Sequence, residues 1–446
     1  MTRRYASVYG KNTGFITTFE VPGQKGREEI SFTMNKNKHL LLLAVFAALL
    51  SAGCTVSEVI RAERTQLDVA TLQISESMLL DVGIMNFEPG VPERNNVEKT
   101  RIYPEVRLAE ARYLPYHLKT TLQGTGFWGA VRVIPSEYAF TDIMLSGRIE
   151  NSDGEFVTIR VKAVDALGRN WFERSYTMQT GISSYAEYRD RTQDPYQKVF
   201  NDFANDLRAH ALTLMPAEIA RIRQASELKF FADMAPSTFE GHLAGNGAGV
   251  VSIVRLPAEN DPMVDRLRQI RERDRLVIDT LNEHYANFYY GIALPYEGWR
   301  QRTREQSIAY RQVRRSAAMR ALIGAAVVAG SMQFDPGSSS YSRYRAQRIA
   351  QSVAINKGFG TIMDALRQYS QANIHREEIK ELSESFAAEA APMVLQVQGE
   401  TMRLTGTAEA QYENWRKLLR EIYEAETGFS GEIEVGSPAR SAQPTG

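Results

Sequence analysis

The sequence is poor in the residues on which most nucleophilic and metal chemistry draws. It has one cysteine in 446 residues, Cys54, so no internal disulfide can form and the fold must rest on packing alone. Its six histidines are His39, His117, His210, His242, His284 and His375. No two of them stand at the spacing of zinc ligands on a helix or hairpin, so no metal site is expected. The segment His375-Arg376-Glu377-Glu378 puts a carboxylate three residues after a histidine, a pattern that surface helices carry often. Neither charge is in excess: 53 basic residues balance 53 acidic ones, for a net charge of +0. That removes the electrostatic argument for nucleic-acid binding. No apolar run reaches the ~20 residues that a membrane-spanning helix needs. There is no Gly-x-Ser-x-Gly nucleophile elbow. The glycine-rich stretch from Gly241 to Gly249 lacks a subsequent Gly-Lys-Ser/Thr. The next segment, VVSIVRL, reads as a strand, whereas a phosphate loop must open a helix. A flexible connector is expected there, and no cofactor.

What the sequence does hold is an address. Residues 34–54 read MNKNKHLLLLAVFAALLSAGC. Lys36 and Lys38 form a short basic region, and Leu40 to Leu50 is an unbroken apolar run of signal-peptide length. Leu50-Ser51-Ala52-Gly53-Cys54 closely resembles the lipobox of bacterial lipoproteins. The resemblance implies cleavage before Cys54, a diacylglycerol on its thiol and an acylated new N-terminus. Several acyl chains hold a protein to a bilayer far more firmly than one. Thr55 stands where an Asp marks retention in the inner membrane, so the resemblance implies the outer membrane, facing the periplasm. With its thiol acylated, Cys54 would leave no cysteine nucleophile in the chain. Residues 1–33 are read either as a start assigned too early, with Met34 the initiator, or as a disordered extension; residues 54–77 are the lipid anchor and linker.

Residues 78–182 read as a small α/β domain. Leu79 to Phe87 is apolar on both faces, as a buried central strand is. Glu88-Pro89-Gly90-Val91-Pro92 stops it. Tyr103 to Gly124 has apolar residues at helical spacing, with one apolar edge expected; Pro115 predicts a kink, and Gly124 and Gly126 are candidate C-caps. Strands are expected at Phe127–Pro135, Thr141–Ile149, Glu155–Asp165 and Trp171–Gln179, with a hairpin turn at Asn151-Ser152-Asp153-Gly154. In the third of these, Val157, Ile159, Val161 and Ala163 alternate with Thr158, Arg160 and Lys162, so one face meets the core and the other solvent. The pattern "VGIMNFE … RYLPYHLKTTLQGTGFWGAVRVIP … DIMLSGRI … GEFVTIRVKAVDALGRNWF" is similar to the N-terminal α/β domain of the Tol translocation protein TolB. It also resembles domains of envelope lipoproteins such as activators of penicillin-binding proteins and curli-secretion-type lipoproteins. The resemblance implies a domain that binds protein partners and does no chemistry.

Residues 183–429 read as a mostly helical domain. Asp194-Pro195-Tyr196-Gln197 has Asp as N-cap, Pro at the first helical position and Gln at the third. Helices are expected from there to Pro216, from Ala217 to Met234, from Pro262 to about Tyr290, from Gly358 to Ala391 and from Glu409 to Thr427. A loop covers 236–260 and a hairpin 393–405. The aromatic residues Phe288, Tyr289, Tyr290, Tyr296 and Trp299 are expected to pack between helices. The arginine-rich stretch from Arg300 to Arg320 precedes an apolar piece in which Ala321, Ala325 and Ala329, and likewise Ala326 and Gly330, recur every four residues, with Gly324 between them. Small residues at that spacing allow close helix–helix approach. It reads as a buried helix or as a self-association or membrane-contact helix whose arginines meet anionic groups. Residues 430–446, rich in Gly, Ser and Pro, are expected to be a disordered tail.

These readings together predict an α+β protein: a mixed sheet domain, then a helical domain with a short C-terminal hairpin. The expected function is that of a non-catalytic outer-membrane lipoprotein that binds or scaffolds a protein partner of the cell envelope. The alternatives are a homo-oligomer or membrane-contacting assembly protein built on Ala321, Gly324, Ala325, Ala329 and Gly330, and an enzyme acting on envelope polymers. The whole chain is expected to belong to a family of proteobacterial lipoproteins.

Overall fold

The computed structural model describes residues 64–93, 101–186, 193–331 apart from Glu240 and Ala248, five positions within 376–384, 393–397 and 400–427. They lie in one compact unit, Val59–Gly446. Strand β1 (Val82–Met85) leads to helix α1 (Pro104–Thr125) and strand β2 (Val131–Ile134), then to strands β3 (Ile143–Ser152), β4 (Phe156–Asp165) and β5 (Asn170–Gln179). The five form one sheet in the order β2-β1-β3-β4-β5. β1 runs parallel to both of its neighbours, and β3, β4 and β5 form an antiparallel meander. The α+β class expected from the sequence is what the chain adopts.

Pleating decides which side chains enter the core. In β4, Val157, Ile159, Val161 and Ala163 are buried, while Thr158, Arg160 and Lys162 stand on the opposite face. Helix α2 (Gln197–Ala211) packs on the inner face at β5, where Phe203 meets Phe172 and Tyr176. Helix α1 crosses the inner face at β1, β2 and β3. It differs from the expected single apolar edge. Arg107, Glu110, His117 and Thr121 are buried along with Val106, Leu114, Leu118 and Leu122, because helices cover the side that the sheet does not. The helix is continuous through Pro115 and ends on Gly126, whose φ of 70° is the left-handed cap conformation.

After α2 come helix α3 (Pro216–Met234), a helical turn at Pro236–Phe239 and a small hairpin of β6 (Leu243–Gly245) and β7 (Val251–Ile253). The glycine-rich stretch thus holds β6 and leads into β7, a hairpin where a connector was expected. Its second strand is docked: the Val251 N–H donates to the Leu167 carbonyl at 2.8 Å.

The helical half is organised by α4 (Pro262–Ser331), one helix of 70 residues. Asp261 caps it, accepting from the Met263 N–H at 2.9 Å. It passes through Pro295 without ending, where separate segments were expected. Strands β8 (Met393–Val397) and β9 (Glu400–Leu404) and helix α5 (Ala408–Thr427) come next, as expected. Of the helix expected over Gly358–Ala391, the described positions 376, 377, 380, 381 and 384 are helical.

Three buried polar contacts fasten the helical half to the sheet. At the edge strand β2, the Asn282 side chain acts as a substitute strand: its Oδ1 accepts from the Val133 N–H at 2.9 Å and its Nδ2 donates to the Val133 carbonyl at 2.8 Å. At the N-terminal ends of β1 and β3, Asp142 accepts from the Asp81 N–H at 3.0 Å and from Ser226 Oγ of α3, and Arg271 of α4 donates to the same Ser226 oxygen at 3.0 Å. The third is centred on Arg300 of α4. There the β3–β4 turn passes so close to α4 that a side chain at Gly154, whose φ is +77°, would run into the Arg300 carbonyl and the Arg304 N–H.

Candidate functional site

The densest collection of titratable groups lies between α1, α2 and α4. Arg300 is 1% exposed and makes two parallel hydrogen bonds to Asp194, at 2.8 and 2.9 Å. Its guanidinium lies over the rings of Tyr296 at 4.2 Å and Tyr196 at 4.8 Å, with Tyr113 at 6.0 Å. Asp194 also accepts from Tyr113 Oη at 3.1 Å and from the Tyr196 N–H at 2.8 Å. Burial alone would raise the Asp194 carboxyl, but the Arg300 guanidinium outweighs it and holds it below the usual carboxylate range. Beside this pair, Glu110 accepts from Ser152 and from Tyr296 Oη, the latter at 2.7 Å, and Arg107 stands 3.7 Å away. Desolvation pushes Glu110 up despite those partners. His117 is held between Tyr289 Oη at 2.8 Å and Gln197 Oε1 at 2.9 Å, and burial lowers it, favouring a neutral ring.

Arg300, Glu110 and His117 each pair with groups on other elements, and Arg300, Glu110, Tyr196 and Tyr296 are sealed from water. Its chemistry is that of a clasp. The sequence reading placed Asp194 as a helix cap, and it does accept from the Tyr196 N–H. It put Arg300 either in a buried helix or in a helix whose arginines meet anionic groups; the structure buries Arg300 and pairs it with Asp194. The signal that could have revealed the site is the stripe Arg107, Glu110, Tyr113, His117, Thr121, a polar face at helical spacing on α1.

A second clasp holds α5. Asp274 of α4 accepts from Tyr412 Oη at 3.1 Å and Trp415 Nε1 at 3.0 Å, with Arg416 at 3.7 Å. Burial pushes the Asp274 carboxyl up to about 6. Arg416 also pairs with Asp233 of α3.

The accessible chemistry is on the outer face of β3, β4 and β5. Register lines up Ser146, Lys162 and Glu173 in one row and Arg148, Arg160 and Ser175 in the next. All of these but Ser175 line an open groove of about 570 Å³ together with Glu88 and Glu150. Arg160 donates to Glu150 at 2.7 Å, Arg148 to Glu88 at 3.1 Å and Ser175 to Glu150 at 2.9 Å. Arg148 is 58% exposed and Arg160 51%. A smaller groove of about 380 Å³ runs between α1, β2 and α4, beside the bidentate pair of Arg132 with Asp279.

Cys54, the residue proposed for lipidation, lies outside the described residues. Ala321, Gly324, Ala325, Ala329 and Gly330 lie in the last turns of α4, where the backbone is helical and the side chains are outside the description. His210 stacks on Trp171 at 4.6 Å, His117 is in the Arg300 clasp and His375 is outside the described residues. Among the described residues no three His, Cys, Asp or Glu side chains are grouped as a metal ion requires, and no helix is long and apolar enough to cross a membrane. No protein-family model, curated protein or solved structure matches the chain.

Proposed function

We propose that this chain is a lipid-anchored protein of the outer membrane, facing the periplasm, whose folded unit docks a protein partner of the cell envelope without catalysing a reaction. The anchor reading rests on the lipobox ending at Cys54. The docking reading rests on one observation: an open groove on β3, β4 and β5 is lined by cations and carboxylates set in alternation.

That groove suits recognition for a physical reason. Exposed ion pairs are worth roughly 0–1 kcal/mol, so exchanging them for a partner's charges costs little. Three cations, Arg148, Arg160 and Lys162, interleave with three carboxylates, Glu88, Glu150 and Glu173. Such a pattern selects a partner with the reversed arrangement more than it adds bulk affinity. A folded protein surface carries the required fixed pattern.

The test is a photo-crosslinking residue at Lys162 in intact cells, with another at Glu421 on α5 as control. A discrete adduct of one envelope protein from Lys162, and none from Glu421, is the expected result. No adduct from Lys162, with the protein folded and acylated at Cys54, would overturn the docking reading.

A further inference from the structure

Four exposed apolar side chains lie beyond the point where the chain enters its folded unit, on the strap and past the far end of α2. Val69 and Leu72 lie on the strap that precedes β1, and Leu212 and Met215 lie at the junction of α2 and α3. Leu72 is 82% exposed, and Leu212 and Met215 are each 68% exposed.

The strap is laid along α2 by polar contacts. Asn201 donates to the Thr65 carbonyl at 2.7 Å, Asn205 to the Gln66 carbonyl at 2.9 Å, and Arg208 pairs with Asp68 at 2.8 Å. Asn201, Asn205, Arg208 and Leu212 share one face of α2, so Leu212 continues the row along which the strap runs. The strap then bonds α1 through the Ala70 N–H and the Thr125 carbonyl, and reaches α3 where Arg223 donates to the Glu76 carbonyl. Val69 and Leu72 are thereby held between the ends of α1 and α2 and the side of α3. The junction itself, Ala211-Leu212-Thr213-Leu214-Met215-Pro216-Ala217, carries no charge. Nearby, Arg221 is an exposed cation, Arg208 is paired with Asp68 and Glu218 with Arg169.

We propose that this apolar tip rests on the lipid surface that carries the acyl chains of Cys54. The proposal rests on the anchor reading above. It commits to lipid because of where the anchor lies. About eleven residues separate Cys54 from Thr65, a reach of at most ~40 Å. Leu212 is a further ~17 Å along α2 from the point where the strap begins. A tether of that length keeps the strap, and the face of the unit along which it runs, within reach of the bilayer. Apolar side chains flanked by arginines suit an interface of acyl chains and anionic headgroups. Contact there would leave the groove on β3, β4 and β5 to a partner.

The experiment uses the single-cysteine sequence. In acylated full-length protein the Cys54 thiol is occupied, so Leu72→Cys, Leu212→Cys or Met215→Cys each supplies one free thiol for an environment-sensitive fluorophore. Lys162→Cys is the control. The protein is reconstituted into vesicles of phosphatidylethanolamine and phosphatidylglycerol, with and without brominated acyl chains. Blue-shifted emission and quenching by bromine at positions 72, 212 and 215, with neither at 162, is the expected result. Labels at the three sites that behave like the one at 162, on protein whose mass shows acylated Cys54, would overturn the contact and leave the anchor standing. A mass without acyl chains on Cys54 would overturn both. Labels shielded in cells but unshifted on protein-free vesicles would assign the tip to a protein partner and overturn the lipid proposal.

Discussion

Replacing Arg300 by methionine keeps a long, unbranched side chain at a position that is 1% exposed and removes the cation. Asp194 would then hold its charge with only the Tyr113 hydroxyl and the Tyr196 N–H as donors. Breaking a buried pair by removing one partner costs about 3–5 kcal/mol, chiefly because the other charge stays desolvated. Removing both charges, in Arg300→Met with Asp194→Leu, is expected to cost far less than the sum of the single changes, with a coupling of about 2 kcal/mol or more. The pH dependence carries the sharper test. In the parent protein the Asp194 carboxyl lies below its unfolded value, so its stabilisation is present above that value and is lost only as the pH falls through the depressed one. In Arg300→Met, desolvation raises the carboxyl instead. The penalty is then complete at pH 7 and shrinks as the pH falls through the raised value. Urea unfolding monitored by tryptophan fluorescence at pH 7 and pH 4 reads both quantities. A loss below about 1 kcal/mol at pH 7, or one that does not change with pH, would mean that water reaches this pair and that the clasp is misread.

The Asp274 carboxyl, raised from 3.8 to about 6 by burial, binds a proton more tightly in the folded chain than in the unfolded one. Its ionisation therefore destabilises the fold above pH 6 and the penalty fades as the pH falls, so the parent should gain about 2 kcal/mol relative to Asp274→Asn between pH 7 and pH 4.5. A stability difference that stays constant across that range would refute this. Asn282→Ala leaves the Val133 N–H and carbonyl without their amide partner. It should cost on the order of 2 kcal/mol and speed hydrogen exchange at the Val133 amide, and unchanged exchange there would show that another group closes the β2 edge.

Much of the sheet was legible because strands announce themselves by period. The alternation of Val157, Ile159, Val161 and Ala163 with Thr158, Arg160 and Lys162 gives the two faces of β4 directly. Helix α5 was legible for a like reason, its buried Trp415, Leu418, Leu419 and Ile422 falling at helical spacing. The Arg300 clasp was not. Helix α1 is covered on several sides, so its buried positions do not form a stripe and its polar residues look like a solvated face. The length of α4 was not legible: the helix was expected to end at about Tyr290, and it runs on through Gly291 and Pro295. Pro295 does remove a helical hydrogen bond, at about 3 kcal/mol. The burial of Ile292, Tyr296 and Trp299 around it keeps the helix on course, and that packing comes from α1, distant in sequence. Pairing Asp194 with Arg300 is likewise a fact of tertiary arrangement across 106 positions.

The division between sealed and open charges also bears on where a partner could act. Drawing Arg300 or Glu110 to a surface would require separating α1 from α4 and opening the stacked pair Tyr113–Tyr289 and the edge-on pair Tyr113–Tyr296. That means exposing core surface at ~25 cal/mol per Å² in addition to breaking the pair. Rearranging Arg148 or Arg160 requires only rotating side chains that water already reaches. A partner that binds with ordinary affinity therefore has access to the second set and not the first. The clasps contribute in another way: Gly154 presses the β3–β4 turn against the Arg300 carbonyl, and Ser152 at the end of β3 donates to Glu110. The turn joining β3 to β4 is thus fixed to α4 from behind. A recognition surface built on strands held that firmly presents its charges in one register, which is the condition for a charge pattern to discriminate between partners.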